Sequence, residues 1–151
     1  MPSDIKIYEA LGCVADKRIT ADGNNAMVSS SSGNKSYNVI YDPEKNAITT
    51  NDNGSYWQGY LGYPAIAFLL VQNIISYDPS CAEALRRIPW KDINVRNKND
   101  FVKTQRDIIA RAVLQGYDAT HLESEVGKIR EQIHVLGLNK LGKTAKPPAG
   151  Y

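Results

Sequence analysis

Residues 59–70 read GYLGYPAIAFLL, and this stretch decides where the core of the domain lies. Pro64 suits the first turn of a helix, because the N–H groups of that turn have no partner within the helix. From Ala65 to Ile75 the predicted helix is apolar on nearly every side, which is typical of a helix buried in the centre of a domain. The other elements are therefore expected to pack around it.

The segment before this helix has the two-residue period of a β-sheet. Met27 and Val28, the loop SSSSGNK and then SYNVIY at 36–41 predict a strand, a connection and a second strand. The sequence DPEKN at 42–46 carries turn-forming residues, so Ala47 to Thr50 is predicted to return as a third strand. An antiparallel sheet is the simplest arrangement of these three strands.

Helices are predicted on both sides of the sheet in the chain. The first covers Asp4 to Asp16, and Pro64 opens the central helix. Three more begin at Asp78, Asp100 and Thr120, and they end before the IPW stretch at 88–90, at Gln115 and at Gly137. The predicted fold class is therefore α+β: a small antiparallel sheet of about three strands packed with an N-terminal helix and about four C-terminal helices.

The chain of 151 residues is long enough for one domain with its own core. We expect a single globular domain over 1–138, with the hairpin and central helix at 26–72 and a helical part at 78–138. The remainder, 139–151, reads NKLGKTAKPPAGY and is predicted to be a flexible tail.

The composition is that of a soluble chain, with 42% hydrophobic and 23% charged residues. Its longest apolar run, Ala65 to Val71, is too short to span a bilayer, so no membrane association is expected. Two cysteines make no disulfide framework, and no secretory signal is recognised. These features predict a cytoplasmic location.

The stretch SYNVIYDPEKNAITTND, at 36–52, leads into GYPAIAFLL, at 62–70. Over about 26–72 this order of two strands and a helix resembles the SWIM zinc-finger family, which carries Cys-x-Cys after the second strand and Cys-x-His at the helix start. The matching positions are Thr50, Asp52, Gly62 and Pro64. They do not supply the Cys/His set of structural zinc. The resemblance therefore implies a metal-free version of a domain that binds nucleic acid or protein.

An aromatic loop precedes the central helix and could replace the metal by packing. Its rings are Tyr56, Trp57, Tyr60 and Tyr63. Each ring can bury roughly 150–250 Å², so the loop is predicted to fix the start of the helix and to offer a secondary binding surface.

The soft metal ligands are Cys13, Cys81, His121 and His134. None of them lie at zinc-ligand spacing, and the two histidines are thirteen residues apart instead of three to five. Both cysteines are expected to be small buried hydrophobes. No metal, no cofactor and no catalytic residue is predicted.

A basic segment, RRIPWKDINVRNKNDFVKTQR at 86–106, follows an acidic half of the chain. Residues 1–85 carry 5 basic and 9 acidic residues, whereas residues 86–111 carry 8 and 3. The segment is predicted to contact DNA or RNA phosphates through its cations, with Trp90 stacking on a base. The residues are Arg86, Arg87, Trp90, Lys91, Arg96, Lys98, Lys103 and Arg106. The alternative is a solvated charged face with IPW anchoring a loop.

The last helix carries an apolar seam at heptad-like spacing. Its members are Leu122, Val126, Ile129, Ile133 and Leu136. Such a seam packs on the domain's own core or, if it is exposed, forms a homodimer or partner-helix surface.

These patterns favour a non-catalytic binding module that uses the basic segment against nucleic acid. The alternative is a protein-interaction or homo-oligomerising domain that uses the apolar seam. A third hypothesis is an enzyme whose site only the fold would assemble.

Overall fold

The computed structural model describes residues 3–52, 61–141 and 147–148. Within these ranges the chain forms helices and strands in alternating blocks. In chain order they are α1 Asp4–Ala15, β1 Ile19–Asp22, β2 Asn25–Ser29, β3 Ser36–Asp42, β4 Ala47–Thr50, α2 Tyr63–Val71, α3 Pro79–Glu83, α4 Trp90–Arg96, α5 Phe101–Leu114, α6 Ala119–Leu136 and β5 Asn139–Lys140. The predicted α+β class, with an N-terminal helix and several C-terminal helices, is confirmed.

The sheet has the order β1-β2-β3-β4-β5. Its first four strands are antiparallel, and β5 runs parallel to β4. The three predicted strands are β2, β3 and β4. The sheet gains β1 because Gly23, at a φ of +60°, turns the chain so that Asp22 pairs with Asn25. The prediction of about three strands is therefore too low.

Strand β5 lies in the segment that was predicted to be a flexible tail. The Asn139 N–H donates to the Asn46 carbonyl at 2.8 Å, and the Leu141 N–H donates to the Ile48 carbonyl at 3.0 Å. The Asn46 side-chain amide also donates to the Leu136 carbonyl at 2.7 Å. These bonds attach residues 139–141 to the sheet. The predicted tail starts at residue 139, so its predicted start lies at least three residues too early in the chain.

One face of the sheet is covered by helices and the other faces solvent, as is common for antiparallel sheets. Val28, Tyr37 and Val39 point into the core, whereas Met27 and Ile40 are exposed on the outer face. Helix α2 is buried from Pro64 to Leu70, which confirms the prediction of a central buried helix. It packs against α1 and against the inner face of the sheet.

Helix α4 begins where the IPW stretch was predicted to end a helix and open a loop. Pro89 is its N-cap and Trp90 its first residue, with only 4% of Trp90 exposed. The indole lies against α1 at Gly12, whose missing side chain leaves the space that the ring occupies. Five helices therefore follow the first four strands within the described residues, one more than predicted.

Candidate functional site

A groove of about 620 Å³ lies between the C-terminal end of α1, the β2–β3 loop and the segment that joins α3 to α4. Four cations line it. These are Lys17 and Arg18 after α1, and Arg86 and Arg87 before α4. The same groove contains two acids, Asp16 and Glu83.

The end of α1 places Lys17 at the groove through a Schellman motif. The Lys17 N–H donates to the Val14 carbonyl at 3.1 Å, and the Arg18 N–H donates to the Cys13 carbonyl at 3.0 Å. Lys17 takes the left-handed conformation, with a φ of +56°. A cation at this end of a helix is favoured by the helix dipole. Lys17 is exposed, so its charge is available to a ligand.

Arg18 lines the groove and contacts three neighbouring elements of the fold. Its Nη1 donates to the Ser29 carbonyl at 2.8 Å, and its Nε lies 3.6 Å from Asp16 Oδ2. Its guanidinium also lies 5.8 Å from the ring centre of Tyr63. Because only 12% of its side chain is exposed, Arg18 is a structural cation that joins α1, β2 and α2.

Arg87 follows α3 in the left-handed conformation, with a φ of +59°. Its backbone N–H donates to Asp16 Oδ1 at 2.8 Å, and its carbonyl accepts from Arg111 Nη2 at 3.5 Å. The side chain is exposed and makes no ion pair among the residues that the structure describes. The neighbouring Arg86 lies 3.5 Å from Glu83 Oε2 with about half of its side chain exposed.

Two further cations belong to elements that border this groove: Lys35 to the β2–β3 loop and Lys91 to α4. Burial and the ammonium of Lys91 lower the pKa of Lys35. Lys17, Arg18 and Lys35 were not found from the sequence, because they lie in the acidic half of the chain, far from the basic segment.

The rest of the basic segment lies away from the groove. Arg96 is 3.6 Å from Asp107 at the surface, and Lys98, Lys103 and Arg106 are exposed near the start of α5. Trp90 is buried, so the prediction that it stacks on a base is wrong. The basic segment thus divides into groove cations and outer cations.

The aromatic loop is described only at Tyr63; Tyr56, Trp57 and Tyr60 lie outside the described residues. The Tyr63 ring makes an edge contact with Tyr37, with ring centres 6.3 Å apart. Burial raises the pKa of Tyr63 well above its usual value. This phenol is therefore a neutral packing group at the start of α2.

The apolar seam of α6 belongs to the domain's own core. Leu122, Val126, Ile129 and Ile133 are buried, and Leu136 is half-buried. These side chains are covered by the rest of the domain, so the prediction of a homodimer or partner surface on this seam is wrong. The structure shows the alternative arrangement, in which the seam packs on the domain's own core.

The four positions that resemble zinc-ligand positions lie in a tightly packed region. Thr50, Asp52 and Pro64 are buried. A Cβ added at Gly62 would overlap the Asp52 carboxylate. The carboxylate therefore occupies the space beside the helix start in which a side chain at position 62 would stand.

The fold also brings together residues that sequence spacing had separated. Cys81 and His121 lie close to each other and to Asp78. Cys13 is a buried thiol, as predicted, and its burial raises its pKa to about 11. Cys81 is buried as well. No signal in the sequence relates Cys81 to His121, since they belong to α3 and α6 and only tertiary packing joins them.

Together the fold and the groove define an α+β domain with a basic surface groove. The chain belongs to the family described as Uncharacterised conserved protein UCP014422, which it matches over residues 1–139. No curated protein and no solved structure matches it. Among the described residues, no helix combines the length and the apolar character needed to cross a membrane.

Proposed function

We propose that this protein is a non-catalytic module that binds the phosphate backbone of DNA or RNA in its basic groove. The observation that carries the proposal is the convergence of exposed cations from two segments that are distant in the sequence. Lys17 comes from the end of α1, and Arg86 and Arg87 come from the segment before α4.

The two acids of the groove neutralise its charge only in part. Asp16 accepts from the Arg87 backbone and lies beside the structural cation Arg18, while Glu83 pairs with Arg86. Lys17 and the Arg87 guanidinium therefore retain their charge for a ligand. Clustered cations in a groove raise the local concentration of an anionic partner and speed its association.

The proposed contacts are with phosphates. Trp90 is buried, so it does not contact a base. Phosphate contacts position a nucleic acid without specifying its sequence. Binding through them releases counterions, so affinity falls steeply as salt rises. The proposal is therefore of sequence-independent, salt-dependent binding.

Binding of a labelled single strand and a labelled duplex across a salt series tests this proposal. The test variant is Arg86→Gln/Arg87→Gln, and the matched control is Lys98→Gln/Lys103→Gln. Each pair removes two exposed cations, and each includes one residue with a positive φ: Arg87 at 59° and Lys98 at 52°. The control cations do not line the groove.

We expect the wild type to bind and the groove variant to have a shallower dependence of log K on log salt. Loss of the Arg87 contact alone corresponds to a change in slope of about 0.9 for a duplex or about 0.7 for a single strand. A further phosphate contact of Arg86, in competition with Glu83, would double that change. The control should change the slope much less. Absence of binding at low salt, or equal weakening by both variants, would show that the groove is a solvated surface.

We further propose that the unit β3–β4–α2 is the metal-free version of the SWIM-like core. The support is the position of the Asp52 carboxylate, which lies against Gly62 where a ligand side chain would have to stand. Packing between these two residues would then replace the metal at the start of α2.

A further inference from the structure

We propose that Asp78, Cys81 and His121 form a binding site for a divalent transition-metal ion of the zinc class. The site lies where the segment before α3 meets the first turn of α6, and it is separate from the basic groove. One oxygen, one sulfur and one nitrogen from these side chains all lie within 4.8 Å of one another.

The two carboxylate oxygens of Asp78 have different partners. Oδ1 accepts from the backbone N–H of Ser80 at 2.9 Å and from its hydroxyl at 2.9 Å. Oδ2 lies 2.7 Å from His121 Nε2. The helix-capping bonds therefore fix the carboxylate through Oδ1 and present Oδ2 to the imidazole.

The separations suit a tetrahedral metal after a small adjustment. Ligand atoms bound tetrahedrally at 2.0–2.3 Å from zinc lie about 3.3–3.8 Å apart. The imidazole and the carboxylate would have to separate slightly, and the thiol would have to approach. About half of the His121 side chain is exposed, which leaves the imidazole room to rotate away from the fixed Asp78 carboxylate.

The donor types select the metal. A thiolate and an imidazole favour Zn²⁺ and Co²⁺, whereas Mg²⁺ and Ca²⁺ prefer sites made of oxygens. Binding forms a sulfur–metal bond, and the thiol proton leaves to the buffer. Three protein ligands leave a fourth position for water on the exposed His121 side, which is the ligand number of zinc sites that keep an open position.

Glu125 is a positioning residue for this site. It lies one helical turn after His121, is buried, and its Oε1 accepts from the Asp78 backbone N–H at 2.9 Å. Its Oε2 is 4.0 Å from Lys128 Nζ at the surface. Glu125 therefore holds the segment before α3 against α6 and places a second carboxylate beside the site, which favours a cation there.

A purely structural role for the Asp78–His121 pair would not require the thiol. Cobalt(II) titration of metal-free protein separates these two roles, because a thiolate bound to cobalt gives a charge-transfer absorption in the near ultraviolet. The chain offers matched controls, since it contains two cysteines and two histidines. The test variants are Cys81→Ser and His121→Gln, and the controls are Cys13→Ser and His134→Gln.

We expect the wild type and both controls to show the thiolate band at one cobalt per chain. Cys81→Ser should abolish the band, and His121→Gln should weaken cobalt binding at least tenfold. Zinc should compete for the site, whereas magnesium should not. Circular dichroism and the Tm of each metal-free variant identify any that fails to fold.

Thermal unfolding gives a second readout that does not depend on the band. Zinc at about 100 times its Kd should raise the Tm of the wild type and of His134→Gln by roughly 5 °C or more. It should raise the Tm of His121→Gln by no more than about half as much, because a site at least tenfold weaker is at most about ten times its Kd. A wild type without the cobalt band at millimolar metal, or a band that survives in Cys81→Ser, would overturn the proposal.

Discussion

Gly12 and Trp90 are in direct contact across α1 and α4, and the glycine makes that contact possible. A Cβ at position 12 would lie 3.1 Å from Trp90 Nε1 and 2.9 Å from the Leu85 carbonyl oxygen. Both separations are too short for a methyl group beside well-packed atoms. Because Gly12 has no side chain, Trp90 of the basic segment can pack into the core.

Gly12→Ala should destabilise the domain, because the added methyl group must displace backbone or a buried ring. Overpacking of this kind costs about 1–3 kcal/mol in the free energy of unfolding. Urea denaturation measures it. Gly127→Ala is the matched control, since a Cβ there would meet only Arg130 Nη2 at 3.6 Å within helix α6. Gly127→Ala should increase the free energy of unfolding by about 0.5–1 kcal/mol. A Gly12→Ala protein that is as stable as the Gly127→Ala protein would contradict the packing described.

Gly62→Ala should destabilise the start of α2 through its collision with the buried Asp52 carboxylate. The cost should be about 1–3 kcal/mol in wild type and clearly smaller in an Asp52→Ala background. A double-mutant cycle by chemical denaturation measures the coupling between the two positions. Additive costs would show that the two residues do not compete for one space.

Asn46 has two roles, and two substitutions separate them. Its φ of +47° is left-handed, and its amide donates to the Leu136 carbonyl. Asn46→Gly keeps the conformation and loses the side-chain hydrogen bonds to the Leu136 and Gly137 carbonyls, which should cost about 1 kcal/mol. Asn46→Ala should cost about 1–2 kcal/mol more, because alanine is strained in that conformation. Equal unfolding free energies for the two variants would rule out the conformational part.

Stability should fall between pH 9 and pH 11 because of Cys13. The ordinary pKa of a cysteine thiol is 9.0, and burial raises the pKa of Cys13 to about 11 in the folded protein. Between these values the unfolded chain loses the proton and the folded chain keeps it, so a rise in pH favours unfolding. The slope is at most about 1.4 kcal/mol per pH unit for one group. Urea titrations at several pH values should show a shallower decline in Cys13→Ala, and parallel curves would contradict this.

The elements found from the sequence are those with strong periodicity. The two-residue period located β2 and β3, the turn residues at 42–46 located β4, and an apolar surface on all sides located α2. Strand β1, ITAD, is as short as β4, and it was missed because the turn at Gly23 was not interpreted as the turn of a hairpin. Helix α4 was missed because Pro89 was interpreted as a helix stop, whereas the structure uses it as an N-cap.

The candidate sites were predictable only in part, because tertiary packing assembles them. Arg86 and Arg87 were found from charge, but Lys17 comes from a segment of opposite net charge. Asp78 and His121 are 43 residues apart, and no local pattern relates them. Trp90 was misplaced because the space that accepts it is created by a glycine on a different helix.

The pairing of β5 with β4 has a consequence for folding during synthesis. The hairpins of β1 to β4 need only local contacts, but the partner of β4 follows Asn46 by about ninety residues. Contacts of such long separation form slowly. Until Leu141 has left the ribosome, the outer edge of β4 keeps unpaired backbone groups, which can pair with a neighbouring nascent chain. We expect the covering of this edge to be among the last events of folding.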